Sequence, residues 1–426
     1  MIMVQALSAR AEGVLPRDGS LSDERIIDGQ SDIVLVRPPG ATGIGRTTFA
    51  NLLIAVVWLN SIALFLYHLT TLELLQSISN VVAISMVALS ILVWLTGPRL
   101  YVTKAFGLLL IANLGLDYFL NRSHTDLIDT VKLFEIFAIF EAARQCSGTL
   151  RINSSIYGLA VLPLILVALG GSRVTVDGFS WSYFYNTNTA ALFYTALLFV
   201  MSIRNPRYKI AIEIIVSALS GKVGVLLATL NATLLSGAIR LTGRTLGLAI
   251  VAIFGMTVLI ISGLLDRQLN IISNFAVDVW GMGIGGIANS SFADLYKTRG
   301  GELSGYFRII HWSEIIKYFL AGGPSYWFFG YGGGYTTSIT TLKLPPHNDY
   351  LKILVEFGIF SFIAFCALVA RATFGIKHKV QRALFLVLVF YFLTENLLSN
   401  FSSMALLFGF AGLVWRVPVT ADGIRR

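Results

Sequence analysis

The residue types able to hold an anion or move a proton gather in one stretch of the chain, between about 300 and 360. The run SGYFRIIHWSEIIKYF, from Ser304 to Phe319, has helical spacing. It places Ile309, Trp312, Ile316 and Phe319 on one face and Ser304, Arg308, His311 and Glu314 broadly on another, and Gly322-Gly323-Pro324 ends the pattern. A helix lying at a membrane interface satisfies that pattern. Arg308 then has two readings, an anchor snorkelling to lipid headgroups or an anion clamp beside the lipid. The second run is Pro345-Pro346-His347-Asn348-Asp349-Tyr350, which leads directly into an apolar stretch. The prolines end a loop, Asn348 is suited to cap a helix, and His347 is held just outside the first turn. There it either packs in the loop or is placed to accept a proton, while the backbone N–H groups of the first turn offer an anion site.

Other residues are weaker signals. Asp129, Lys132 and Glu135 share one face of an apolar segment, where they either neutralise one another or face a substrate. Gly281-Met-Gly283-Ile-Gly-Gly286 matches G-x-G-x-x-G, yet no strand precedes it and no βαβ unit can be built around it. The turn from Gly330 to Gly334 lacks the Lys-Ser/Thr of a phosphate-binding loop. No cluster of His and carboxylates has metal-ligand spacing, so neither metal nor cofactor is expected.

The elements that must position these residues are membrane helices. Of 426 residues, 55% are hydrophobic and only 13% charged, and mean hydropathy is +0.74, which excludes an ordinary soluble domain. The net charge of +9 is spread in short runs between apolar segments, a pattern that orients helices across a bilayer and excludes a nucleic-acid face. Apolar segments at 50–67, 81–94, 105–120, 127–143, 152–169, 190–203, 210–219, 223–239, 246–264, 351–370, 383–393 and 404–415 predict about twelve transmembrane helices in an all-α polytopic protein. With the amino terminus cytoplasmic, every alternate loop is basic, and 21 of the 32 Lys and Arg fall inside. Residues 1–49 form an expected cytoplasmic tail without a secretory signal pattern, 50–416 the membrane domain, and 417–426 a second cytoplasmic tail. One large outer loop, 265–350, separates the ninth and tenth helices, and a loop of that length is usually functional. Cys146 and Cys366 fall in a cytoplasmic loop and a helix, where reduced, inert thiols are expected.

Taken together, SGYFRIIHW, the Gly-rich FGYGGGY and HNDYLKILVEFGIFSF resemble the O-antigen ligase and Wzy-type polysaccharide polymerase superfamily of bacterial inner membranes. The resemblance covers roughly 304–362. Within it Arg308, Gly330 to Gly334, His347-Asn348 and Glu356-x-Gly358 stand at the family's motif positions. More weakly, Ser220-Gly-Lys222-Val-Gly224 is similar to its Ser-Arg-Gly element and Asn186-Thr-Asn188 to its Asn-rich helix start. Lys222 replaces an arginine there, and an ammonium cannot make a bidentate fork.

The resemblance implies a glycosyltransferase that joins surface-polysaccharide or exopolysaccharide repeat units, without metal, from a polyprenyl-diphosphate carrier such as undecaprenyl diphosphate. Its site would face the periplasm. Arg308, with Lys222 and Arg173 as further contacts, would neutralise the diphosphate leaving group. His347 would serve the acceptor hydroxyl, supported by Asn348, Asp349, His311 and Glu356. Expected partners are the lipid-linked oligosaccharide, membrane lipid, a polysaccharide flippase and a chain-length regulator. A ligase moving glycan to a lipid A core or protein shares these motifs. A twelve-helix secondary transporter is the alternative from another class, although no internal repeat is found.

Overall fold

The computed structural model describes residues 44–70, 72–96, 101–119, 127–166, 173–175, 178–180, 187–203, 205–219, 223–238, 266–299, 304–341, 343–398 and 400–415. The predicted tails up to 43 and from 416, the predicted helix 246–264, and Asn186, Ser220 and Lys222 lie outside the described residues, as does the side chain of Asp129.

The other eleven predicted apolar segments coincide with helices: α1 (Arg46–Thr70), α2 (Glu73–Thr96), α3 (Tyr101–Phe119), α4 (Leu127–Gln145), α5 (Ser155–Leu166), α6 (Thr187–Val200), α7 (Pro206–Leu219), α8 (Val223–Leu235), α14 (Asp349–Gly375), α15 (Lys379–Tyr391) and α16 (Phe401–Leu413). By length and composition, three stretches (Arg46–Tyr67, Glu73–Leu95 and Asp349–Gly375) are apolar enough to cross a membrane, and several shorter helices are equally apolar. The chain is thus a helical protein compatible with a membrane.

The described residues are overwhelmingly helical, as expected, with one small addition, a hairpin in which β1 (Arg173–Thr175) pairs antiparallel with β2 (Gly178–Ser180). The stretch 265–350 carries the helix predicted from Ser304 and others besides. It holds α9 (Asp266–Ala288), α10 (Phe292–Arg299), α11 (Ser304–Ala321), α12 (Pro324–Phe329) and α13 (Tyr335–Ile339). Its own small apolar cluster of Ile287, Leu295 and Tyr306 gives these helices something to bury, which polar loop residues could not. The G-x-G-x-x-G match falls inside α9, where Gly283 interrupts the helix with φ 68°.

Helix α16 is the axis of the bundle. Twelve of its thirteen residues are buried, as expected of a helix apolar on every side. It packs closely on α4 because Gly412 lets the backbones meet: a Cβ there would lie 2.3 Å from the carbonyl oxygen of Phe140. Phe106, Phe137 and Phe365 fill the adjoining core from α3, α4 and α14.

Helix α14 is broken at Gly358 (φ 78°, ψ 174°), and the break leaves helix carbonyls to be satisfied elsewhere. Asn113 of α3 donates through Nδ2 to Phe357 O at 3.3 Å and Ser361 Oγ at 3.2 Å. The 27 residues of α14 span at most about 40 Å and separate two ends of different character. Around its C-terminal end Arg144 and Arg371 lie over the Trp415 ring, while its N-terminal end carries the residues singled out for chemistry.

Candidate functional site

Three segments converge at that end: α11, the irregular stretch from 340 to 348 that enters α14, and the connection between α15 and α16. Arg308 projects from α11 to the third of these. Its Nη2 donates to Glu395 Oε1 at 2.8 Å and to Thr394 O at 3.1 Å, so it does not reach outward as a headgroup anchor would. The other carboxylate oxygen, Glu395 Oε2, lies 3.2 Å from His347 Nδ1. One carboxylate therefore bridges the arginine and the histidine. Glu395 is 7% exposed, whereas the side chains of Arg308 and His347 are 26% and 35% exposed. The carboxylate is inside and the two basic side chains are partly exposed. An ionised carboxylate only accepts, so against it Nδ1 carries a hydrogen, and in a neutral ring that places the lone pair on Nε2.

His347 is held in the left-handed region, φ 48°, a conformation that costs a non-glycine residue about 1–3 kcal/mol and persists only when its neighbours over-determine it. They do so here. On one side Trp312 Nε1 donates to Pro346 O. On the other, Asn348 Oδ1 accepts from Leu351 N at 2.9 Å, the predicted cap. Asp349 N donates to Phe392 O at 2.9 Å, and Asp349 Oδ2 accepts from the backbone N–H groups of Leu397 and Leu398 at 2.6 and 3.2 Å. Asp349 thus ties the start of α14 to the segment carrying Glu395, which makes it a positioning residue.

The ring of Phe307 stands edge-on to His347, centroids 5.4 Å apart, and stacks on His311 at 4.9 Å. His311 is fully buried; its Nε2 lies 2.9 Å from Leu344 O and its Nδ1 has no hydrogen-bond partner. Burial pulls its pKa below the ordinary 6.5, against the Leu344 carbonyl and the Glu314 carboxylate. A neutral ring with Nε2–H donating to Leu344 satisfies this geometry. Glu314 Oε1 accepts from Thr341 N and Oγ1 at 3.0 and 2.7 Å, so two residues of the predicted polar face of α11, His311 and Glu314, are turned onto Leu344 and Thr341.

The Gly-rich turn and Glu356-x-Gly358 form a second, purely structural joint. A Cβ on Gly330 (φ 75°) would sit 2.2 Å from Glu356 O, and one on Gly358 would sit 2.2 Å from Phe328 O. The two backbones meet glycine to glycine, with Tyr331 N and Gly332 N donating to Val355 O and Glu356 O at 3.0 and 2.9 Å. Glu356 Oε1 accepts from Thr336 N at 3.2 Å and from the Thr336 hydroxyl, capping α13. Glu356 therefore braces the turn and does not face the Arg308–Glu395–His347 cluster.

Of the remaining expected phosphate contacts, Arg173 lies on β1 opposite Ser180 with its side chain outside the described residues, as is Lys222 altogether. Glu395 is the residue that sequence reasoning missed. An ionisable side chain wedged between two apolar segments was the available signal. No protein-family model matches this chain, and no curated protein matches it.

Proposed function

We propose that this chain is a membrane glycosyltransferase that transfers an oligosaccharide from a polyprenyl diphosphate to an acceptor hydroxyl, as a surface-polysaccharide polymerase of the O-antigen ligase and Wzy-type superfamily. The observation that carries the reading is the Arg308–Glu395–His347 relay at the end of the bundle opposite Arg144 and Arg371. The topology that goes with it has about twelve spans and cytoplasmic termini, with α9 to α13 on the periplasmic side of a bacterial inner membrane.

In this mechanism His347 Nε2 accepts the proton of the acceptor hydroxyl as its oxygen bonds to the anomeric carbon. Nδ1–H holds its hydrogen bond to Glu395, whose charge stabilises the imidazolium that forms. The bond from the anomeric carbon to the diphosphate oxygen breaks, and the diphosphate leaves with the electron pair. The exposed part of the Arg308 guanidinium meets that developing charge.

The test is the purified protein with a polyprenyl-diphosphate oligosaccharide as sole substrate, products being resolved by length. A ladder lost in His347→Ala and in Arg308→Ala supports a polymerase with this site. Reaction only after a glycolipid core or protein acceptor is added makes it a ligase. A transporter is the second reading, favoured by one observation. Buried Glu213 of α7 has the hydroxyls of Thr195, Ser217 and Thr229 at 2.7, 3.5 and 3.5 Å from Oε1, and an intramembrane carboxyl suits an ion-coupled carrier. No product with any acceptor would favour it.

A further inference from the structure

Between Lys317 and Lys343 the chain runs for 25 residues without an Asp, Glu, Lys, Arg or His, and eight of the 25 are aromatic. This run holds the end of α11, the short helix α12 and the Gly-rich turn. Much of its apolar surface stays outside: α12 has no buried residue, Leu320 is 62% exposed, and Tyr326, Trp327 and Phe328 are exposed as well. We infer that this hairpin, from the end of α11 through α12, is inserted in a lipid bilayer, with Tyr326 and Trp327 at the boundary between headgroups and acyl chains. An exposed patch of this kind marks a place that something apolar covers, and its position in the fold identifies the cover as lipid.

That position follows from the meeting of α12 with α14. Phe328 O lies against Gly358, nine residues into α14 and so about 14 Å along it from Asp349. The Phe328 ring stacks on that of Phe360, centroids 5.1 Å apart, and Phe329 meets the same ring edge-on at 5.9 Å. From Phe357 to Ala370 α14 carries no charged residue, and it is one of the stretches long and apolar enough to cross a membrane. Phe360 is itself exposed, with Ile359 and Ile363 beside it. The outer face of α12 therefore continues the face that a crossing helix turns to lipid, and it begins where the apolar part of α14 begins.

A segment that enters the bilayer must satisfy its polar groups within itself or against the protein. The prominent donors of the hairpin are spent in this way. Pro324 opens α12 and has no N–H to satisfy. Gly323 O accepts from Tyr326 N and Trp327 N at 2.9 and 3.3 Å, and Gly330 N donates to Tyr326 O at 2.8 Å. The Trp327 indole N–H is turned back onto Phe319 O at 2.8 Å, and the Tyr331 hydroxyl onto Tyr318 O at 3.1 Å. A surface built for a glycan or a polar protein face would keep such donors outward, and the run has no charge to offer either. Arg308 is twelve residues from Leu320 on the same helix, so the inserted tip holds it within about 18 Å. The inference needs only that the chain is a membrane protein, and stands whichever reaction it performs.

The test places a label on the tip. Ser325→Cys, at an exposed small residue of α12, is introduced in the full chain with Cys146→Ala and Cys366→Ala, and a nitroxide on it is read by paramagnetic resonance in nanodiscs of phosphatidylethanolamine and phosphatidylglycerol. Collision with oxygen, which concentrates among acyl chains, is compared with collision with a water-soluble nickel chelate. Ile363→Cys on the exposed face of α14 and Lys297→Cys on the charged helix α10 are the references. Expected is an oxygen-to-nickel ratio at 325 close to that at 363 and several-fold above that at 297. A ratio equal to that at 297 puts the hairpin in water and overturns the inference. Shielding from both reagents means that a protein covers the tip, which overturns it equally. A second measurement needs no cysteine change: brominated phosphatidylcholine in the nanodisc should quench tryptophan fluorescence less in Trp327→Phe than in the parent, and equal quenching in a variant that melts like the parent also overturns the inference.

Discussion

Replacing Glu395 by Gln isolates the charge of the bridging carboxylate with little change of shape. When His347 takes a proton in the transition state, its Nδ1 is 3.2 Å from Glu395 Oε2. Two unit charges at that separation attract by about 5 kcal/mol at an effective dielectric near 20. The His347 side chain is 35% exposed, so solvent screens the pair, and about 2–3 kcal/mol is a realistic net loss. That corresponds to a fall of about 30- to 150-fold in kcat. Glu395→Asp, which keeps the charge and loses reach, should fall between Gln and the parent. The assay is the initial rate of oligosaccharide transfer at saturating and limiting lipid-linked substrate, with the elution profile and melting temperature of each variant as controls. An effect confined to kcat fits a group acting in the transition state, whereas an effect confined to KM places Glu395 in binding through Arg308. A Gln variant with unchanged kcat would refute the relay outright.

Gly330→Ala should cost about 2–4 kcal/mol of stability, because it puts a Cβ against Glu356 O from a left-handed backbone; thermal unfolding in detergent checks this, and a variant that melts like the parent would mean the turn can retreat. Asp349→Ala should cost about 1–3 kcal/mol by removing the acceptor of Leu397 N and Leu398 N, and should slow transfer more than an equally destabilising change remote from the site. Buried His311 has a folded pKa below 6.5, so as pH falls below about 6.5 the unfolded chain takes up a proton that the folded chain refuses. Stability is then full above about 6.5 and declines below it. Melting temperature should drop from pH 7.5 to 5.5 in the parent and drop less in His311→Asn; equal drops would assign the pH dependence to other groups.

What the sequence by itself determined was the local layer. Long apolar runs located eleven of the helices, all but α2 within a few residues and α2 with its start at Glu73 instead of 81, since segments that bury against one another or against lipid must be continuously apolar. Asn348 was recognisable as a cap and Gly322-Gly323-Pro324 as a stop, because both act through backbone geometry within a few residues. The helical phase of α11 put Arg308, His311 and Glu314 on one face, and the structure turns His311 and Glu314 onto Leu344 and Thr341 and Arg308 onto Thr394 and Glu395.

What only the tertiary structure decided was which groups meet. Arg308 and His347 are 39 residues apart, and the residue joining them lies 48 further on, between two helices that read as plain apolar spans. Nothing in periodicity or spacing could pair them. The meeting of Gly330 with Gly358, and of Phe328 with Phe360, is equally invisible along the chain. Each glycine and each charge satisfies only local rules by itself, and the partner is chosen by how α11, α12, α14 and the turn before α16 pack together.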